Sequence, residues 1–240
     1  MSKHSKWSKV KNYKGVVDAK RAAAFTKVAR VITVAAREGG GDPNFNFKLR
    51  TAMDQALAVN MPKDNIERAI KKGTGEGETE KIEEIVYEGY GPGGAAIVAV
   101  ALTDNRNRTS SSLKHIFSVH GGNLAGAGAV SWMFQKKGLI RIEERTSLDE
   151  AVELGLIDAG AEDITAEEGG LVVTTAVESL VKVREAAEKS GLKVVYGGIE
   201  WVAKDKSTAA EGQADDKLDE LLEALDDDED VNAVYSNVNV

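Results

Sequence analysis

The apolar residues of this 240-residue chain change period at one place. Up to Lys72 they recur every three or four positions; after Gly73-Thr74-Gly75-Glu76-Gly77 they alternate or run in short blocks. Glycines at such a switch free the backbone, so the segment reads as a hinge between a helical part and a part built on strands. In the first part Phe25, Val28, Ile32 and Ala35 mark one face of a helix opening at Asp18, which Gly39-Gly40-Gly41-Asp42-Pro43 stops. Leu49, Ala52, Met53, Ala56 and Leu57 mark the buried face of a second helix. Met61-Pro62 opens a third that buries Ile66, Ala69 and Ile70.

Beyond the hinge, residues 82–88 and 95–103 flank a glycine-rich turn in which Pro92-Gly93 suits the central pair of type II, so a β-hairpin is expected. Thr109 is expected to cap a helix with Leu113, Ile116 and Phe117 facing inward, and the alternation of Val130, Trp132 and Phe134 predicts a strand. From 138 to 204 the pattern gives strand 139–143, helix 148–157, a hairpin over 164–175 turning at Gly169-Gly170, helix 177–189 and strand 193–202. That order is the split βαβ sandwich. The preceding hairpin, helix and strand lack a second helix and a closing strand. The far end supplies both, with Leu218, Leu221, Leu222 and Leu225 on a helix and a strand over 233–238. The expected fold is α+β: an N-terminal three-helix bundle plus two α/β sandwich (ferredoxin-like, split βαβ) domains. Their expected bounds are 1–75 for the basic arm and bundle, 76–137 with 206–240 for a discontinuous middle domain, and 138–205 for the inserted one.

Charge is divided along the same line. Residues 1–75 hold 16 Lys or Arg against 6 Asp or Glu, a net +10, while the whole chain carries −8, which leaves −18 on the other 165 residues. Such segregation points to a polyanion as partner of the first part, because each cation set on a phosphate releases condensed counterions. Lys3, His4, Lys6, Lys9, Lys11 and Lys14 surround Trp7 and Tyr13 in a stretch with no periodicity able to bury anything. It reads as an arm that orders only on a partner, with aromatics suited to stacking on bases. Lys20, Arg21, Lys27, Arg30 and Arg37 add a basic stripe to the first helix. Arg106 and Arg108, in Thr103-Asp104-Asn105-Arg106-Asn107-Arg108-Thr109, sit where a strand ends and a helix opens. A phosphate docks at such a place; the same residues also fit a plain Asn/Asp turn.

Other chemistries find no residues. The chain has no cysteine, and its three histidines, His4, His115 and His120, lack metal-ligand spacing. Ser110-Ser111-Ser112 has no base fixed near it, and no nucleophile elbow appears. The glycine-rich run 120–128 leaves a helix and enters a strand, the reverse of a dinucleotide loop, and reads as a long turn or a contact loop. Asp226-Asp227-Asp228-Glu229-Asp230 lacks calcium-hand spacing and reads as solvated surface, or as a screen for the basic arm in the absence of nucleic acid. Basic residues open the chain with no apolar stretch behind them, and the longest apolar run, 95–102, falls far short of a membrane span. The expectation is a cytoplasmic, non-enzymatic protein without cofactor, metal, small-molecule substrate or membrane partner.

Several segments together resemble the YebC family. They are His4-Ser5-Lys6-Trp7, Asp18-Ala19-Lys20-Arg21, Phe25-Thr26-Lys27, Gly40-Gly41-Asp42-Pro43, Asn60-Met61-Pro62-Lys63-Asp64, Tyr87-Glu88-Gly89-Tyr90-Gly91-Pro92-Gly93-Gly94, the 103–109 segment and Val234-Tyr235-Ser236-Asn237. The resemblance implies a helical domain plus two α/β domains and no enzymatic activity. Members of that family are described as probable transcriptional regulators and include a mitochondrial translational activator. DNA and ribosomal RNA, the latter through the ribosome, are therefore both expected partners: the first for a transcriptional regulator, the second for a factor that relieves translational stalling.

Overall fold

The structure, a computed structural model, describes residues 18–75, 82–143, 147–167, 169–205 and 213–238. Residues 136–202 form one compact unit; the described residues before and after them form the other. No helix among the described residues is long and apolar enough to cross a membrane.

Three helices open the chain: α1 (Asp18–Gly39), α2 (Phe47–Ala58) and α3 (Lys63–Gly73). They bury one small core of Ile32, Ala36, Leu49, Ala52, Ala56, Met61, Ile66 and Ala69. Asn46 makes the corner between α1 and α2. Its side-chain oxygen accepts from the Leu49 N–H at 3.0 Å, the capping bond of α2, while its amide donates to the Ala35 and Gly40 carbonyls at 2.7 and 2.8 Å. At the other corner α1 and α3 approach backbone to backbone at Gly73, where a Cβ would lie 2.4 Å from the Thr33 carbonyl oxygen. Leu57, expected on the buried face, is 58% exposed, since α2 turns only the Leu49, Ala52, Ala56 side inward.

The bundle belongs to the same compact unit as a sheet made of β1 (Glu83–Tyr90), β2 (Ala96–Thr103), β3 (Asn123–Ala125) and β8 (Val231–Ser236). The order is β3-β1-β2-β8 with antiparallel neighbours throughout. Gly93, at φ 69°, takes the left-handed position that the β1–β2 turn requires. Strand β2 is buried along its whole length, as its unbroken apolar run demands. Helices α4 (Arg106–Val119) and α7 (Gln213–Asp227) bring Leu113, Phe117, Leu218, Leu221, Leu222 and Leu225 into a core with Ile97, Ala99, Val231 and Val234.

In the other unit β4 (Phe134–Glu143), α5 (Glu150–Ala159), β5 (Ala161–Glu167), β6 (Gly170–Thr175), α6 (Leu180–Lys189) and β7 (Val194–Ala203) follow one another. The sheet order β5-β6-β4-β7 puts the third and first strands at the centre, as a split βαβ sandwich does.

Two local expectations change. Asn105, not Thr109, caps α4: it sits in an extended conformation and its side chain accepts from the Arg108 N–H. Residues 131–133 form a 3₁₀ turn rather than a strand, so Val130 is buried while Trp132 is 65% exposed. The glycine-rich run before it contains the short strand β3, paired with β1.

Candidate nucleic-acid interface

Of the residues expected to meet nucleic acid, Lys3, His4, Lys6, Trp7, Lys9, Lys11, Tyr13 and Lys14 lie outside the described residues. Lys20 and Arg21 lie in the first turn of α1, where Arg21 is exposed. Lys27, Arg30 and Arg37 behave differently from a solvated stripe. The Lys27 ammonium donates to the Asp226 carbonyl, and Arg30 Nη1 donates to the Glu229 carbonyl at 2.6 Å and to Asp230 Oδ1 at 2.8 Å. Arg37 donates to the Ile82 carbonyl at 3.2 Å. These cations tie the bundle to the sheet domain that follows. The acidic run therefore does reach the basic helix, through main-chain carbonyls and the carboxylate of Asp230.

Asp230 is the hub. Its side chain is 7% exposed, and it receives Arg108 Nη2 at 2.9 Å, Arg30 Nη1 at 2.8 Å and the Thr109 hydroxyl at 2.7 Å. Arg108 also holds Asp104 at 2.8 Å, its i−4 neighbour. Burial by itself would raise the Asp230 pKa; the Thr109 hydroxyl and the two guanidinium groups outweigh it and hold the carboxyl below its ordinary value. Beside the first turn of α4, where a phosphate was expected to dock, the chain places its own anion. Of the two arginines of that turn, Arg108 is committed to Asp230, whereas Arg106 stays exposed and its carbonyl accepts from the Tyr87 hydroxyl at 3.3 Å.

A basic surface that the periodicity did not single out lies on α3. Lys63, Arg68, Lys71 and Lys72 are all exposed, and none has a carboxylate partner among the described residues. Arg68 instead donates to the Asn65 side-chain oxygen and, at 3.3 Å, to the Asp64 carbonyl. Four cations within ten residues of a strongly amphipathic helix were the available signal; Lys71-Lys72 read only as a helix end.

The loop before β4 is a second feature without a sequence pattern. The buried Glu88 carboxylate accepts the N–H groups of Gly128, Val130 and Ser131 at 2.7, 2.8 and 2.7 Å. Burial pushes its pKa up, but the three backbone donors push harder in the other direction and leave it lowered. The Ala129 carbonyl then accepts from both the Tyr90 hydroxyl and the Trp132 indole, at 2.9 and 3.0 Å. The loop is thus a fixed turn that displays Trp132.

Known proteins are similar to this chain over nearly its whole length. Residues 5–76 match the family described as "TACO1/YebC protein N-terminal domain", and residues 82–238 match "TACO1/YebC second and third domain". A protein of Syntrophus aciditrophicus named "Probable transcriptional regulatory protein" is 49% identical over 100% of this chain and 96% of its own length. One of the same name from Finegoldia magna is 46% identical over 99% of this chain and 98% of its own. The crystal structure of a conserved hypothetical protein of Aquifex aeolicus, 43% identical, superimposes with a TM-score of 0.85 and covers 98% of this chain and 94% of that one. On both its helical and its α/β residues, then, the chain belongs to the TACO1/YebC family.

Proposed function

We propose that this protein is a non-enzymatic regulator of gene expression that binds nucleic acid through its N-terminal bundle, with duplex DNA as the first partner. The observation that carries the reading is the uncompensated positive charge: +10 over residues 1–75, with Lys63, Arg68, Lys71 and Lys72 facing solvent on α3 and unpaired among the described residues. Carboxylates or main-chain carbonyls engage other cations of the bundle: Lys27 meets the Asp226 carbonyl, Arg30 meets Asp230 and Lys48 meets Glu38. The α3 cations stay open, as phosphate contacts require.

One further observation favours DNA: the relatives' names speak of transcriptional regulation.

Ribosomal RNA is the competing partner, and sedimentation separates the two. The full chain is expected to shift a duplex of its own upstream DNA at low salt and to stay in the ribosome-free fraction of a lysate gradient. Cosedimentation with ribosomal particles, abolished by replacing the four α3 cations with glutamine, would move the function to translation.

A further inference from the structure

A cleft of about 480 Å³ opens between α1 and α3, with Ile82 and Asp104 at its far edge. Its volume lies within the range of small-molecule sites, about 300–1,000 Å³, and is large enough for one nucleotide. The lining has two characters. Phe25, Ala29, Met61, Ala69 and Ile82 give an apolar floor and wall, while Arg30, Arg68 and Lys72 bring positive charge.

Those three cations are not equivalent. Arg30 is committed to Asp230, and Asp104, the acid among the lining residues, is committed to Arg108. Arg68 and Lys72 stand one helical turn apart on the same face of α3 and have no carboxylate partner among the described residues. Asn65, one turn before Arg68, uses its oxygen to accept from Arg68, which leaves its amide N–H groups without a partner among the described residues. The cleft therefore pairs an apolar slot with two open cations at one side and free amide donors at the edge. A ligand that satisfies all three is flat and apolar on its faces, carries hydrogen-bond acceptors on its rim, and bears an anion joined to the ring system through a short linker.

We propose that this cleft takes a single unpaired nucleotide of the bound nucleic acid. Its base lies against Phe25 and Met61, Asn65 donates to the base edge, and Arg68 and Lys72 hold the adjoining phosphate. The proposal rests on the nucleic-acid reading above and deepens it. Such a cleft adds affinity for an unpaired or extruded nucleotide to the phosphate contacts that α3 makes with a duplex, because a paired base enters it only at an unstacking cost. An inorganic phosphate alone would meet the two cations but leave the apolar slot empty.

The test uses the full chain with ¹³C-methyl methionine and two kinds of variant. Titration with a nucleoside monophosphate is expected to shift the Met61 methyl resonance to saturation, whereas inorganic phosphate at the same concentration leaves it in place. In fluorescence anisotropy, R68A/K72A is expected to weaken binding of a twelve-nucleotide single strand by at least about tenfold, the loss of a charge-assisted hydrogen bond. T26W, which changes no charge and fills the cleft from an exposed lining position, is expected to weaken the single strand by about as much while a perfect duplex loses less than about threefold. Unchanged thermal midpoints in both variants exclude misfolding as the cause.

If the wild-type chain binds single strands and T26W binds them equally well, the cleft proposal fails and the nucleic-acid reading stands. If the wild-type chain binds neither strand form at low salt, both fail. If an acidic peptide, and no nucleotide, shifts Met61, the cleft belongs to a protein partner and the proposal is overturned.

Discussion

Replacing Asp230 with Asn keeps the volume of the side chain and removes the charge that joins three segments far apart in sequence. At 7% side-chain exposure, Asp230 is desolvated, and its partners Arg30 and Arg108 are 21% and 51% exposed. Breaking a buried ion pair from one side costs about 3–5 kcal/mol because the other charge is stranded. Water reaches half of Arg108, so the lower end applies, about 3 kcal/mol. For a unit of this size each kcal/mol moves the midpoint by about 2–4 °C, giving a fall in Tm of roughly 6–12 °C at neutral pH. Thermal unfolding followed by circular dichroism measures it directly. The pH dependence adds a second reading. The folded pKa of Asp230 lies below its unfolded value. The stability it contributes is thus fully present above about pH 4 and disappears as pH falls through the folded value. The gap between wild type and D230N should narrow on acidification. A variant that melts within about 1 °C of wild type at neutral pH, or a gap that stays constant into acid, would refute the hub.

Other expectations follow from single contacts. E88Q offers the loop one acceptor oxygen in place of two, and amide exchange at Gly128, Val130 and Ser131 should accelerate by about tenfold or more, while exchange in the strand center of β2 stays unchanged. Because the Glu88 pKa is also lowered, that protection should be lost in wild type as pH falls through the folded pKa, on the acid side of the ordinary glutamate value. G73A forces a methyl group toward the Thr33 carbonyl and should destabilise the bundle by about 1–3 kcal/mol, measured by urea unfolding. R30Q should leave nucleic-acid affinity within about threefold of wild type, since its guanidinium is spent on Asp230, whereas K71Q/K72Q should weaken it by about tenfold in the same anisotropy assay.

The elements were legible where local chemistry decides them. Glycines 39–41 with Pro43 end α1, Pro62 precedes α3, and Gly169-Gly170 turn the β5–β6 hairpin, because each of these residues acts on its own backbone. The α+β architecture followed from the switch in apolar period. Residues 130–134 misled because alternation there comes from a turn held by Glu88, forty positions away, which draws backbone N–H groups inward and leaves Trp132 outside. Thr109 looked like a cap because Ser and Thr favour that role; Asn105 takes it, and Thr109 is spent on Asp230. The site was less legible still. Lys27, Arg30 and Arg108 have the composition of phosphate ligands, and only the return of residues 226–230 to their side, a contact spanning about 120 to 200 positions of chain, assigns them to the protein's own acidic segment. No periodicity within α1 or α4 could carry that information.

The salt dependence of binding tests the central claim most directly. With duplex DNA the logarithm of the wild-type affinity should fall linearly with the logarithm of salt concentration, with a slope of about −0.9 for each phosphate neutralised. K63Q/R68Q/K71Q/K72Q should flatten that slope by about two to four such increments. An identical slope in the two proteins would mean that the open cations of α3 touch no phosphate, and would contradict the account.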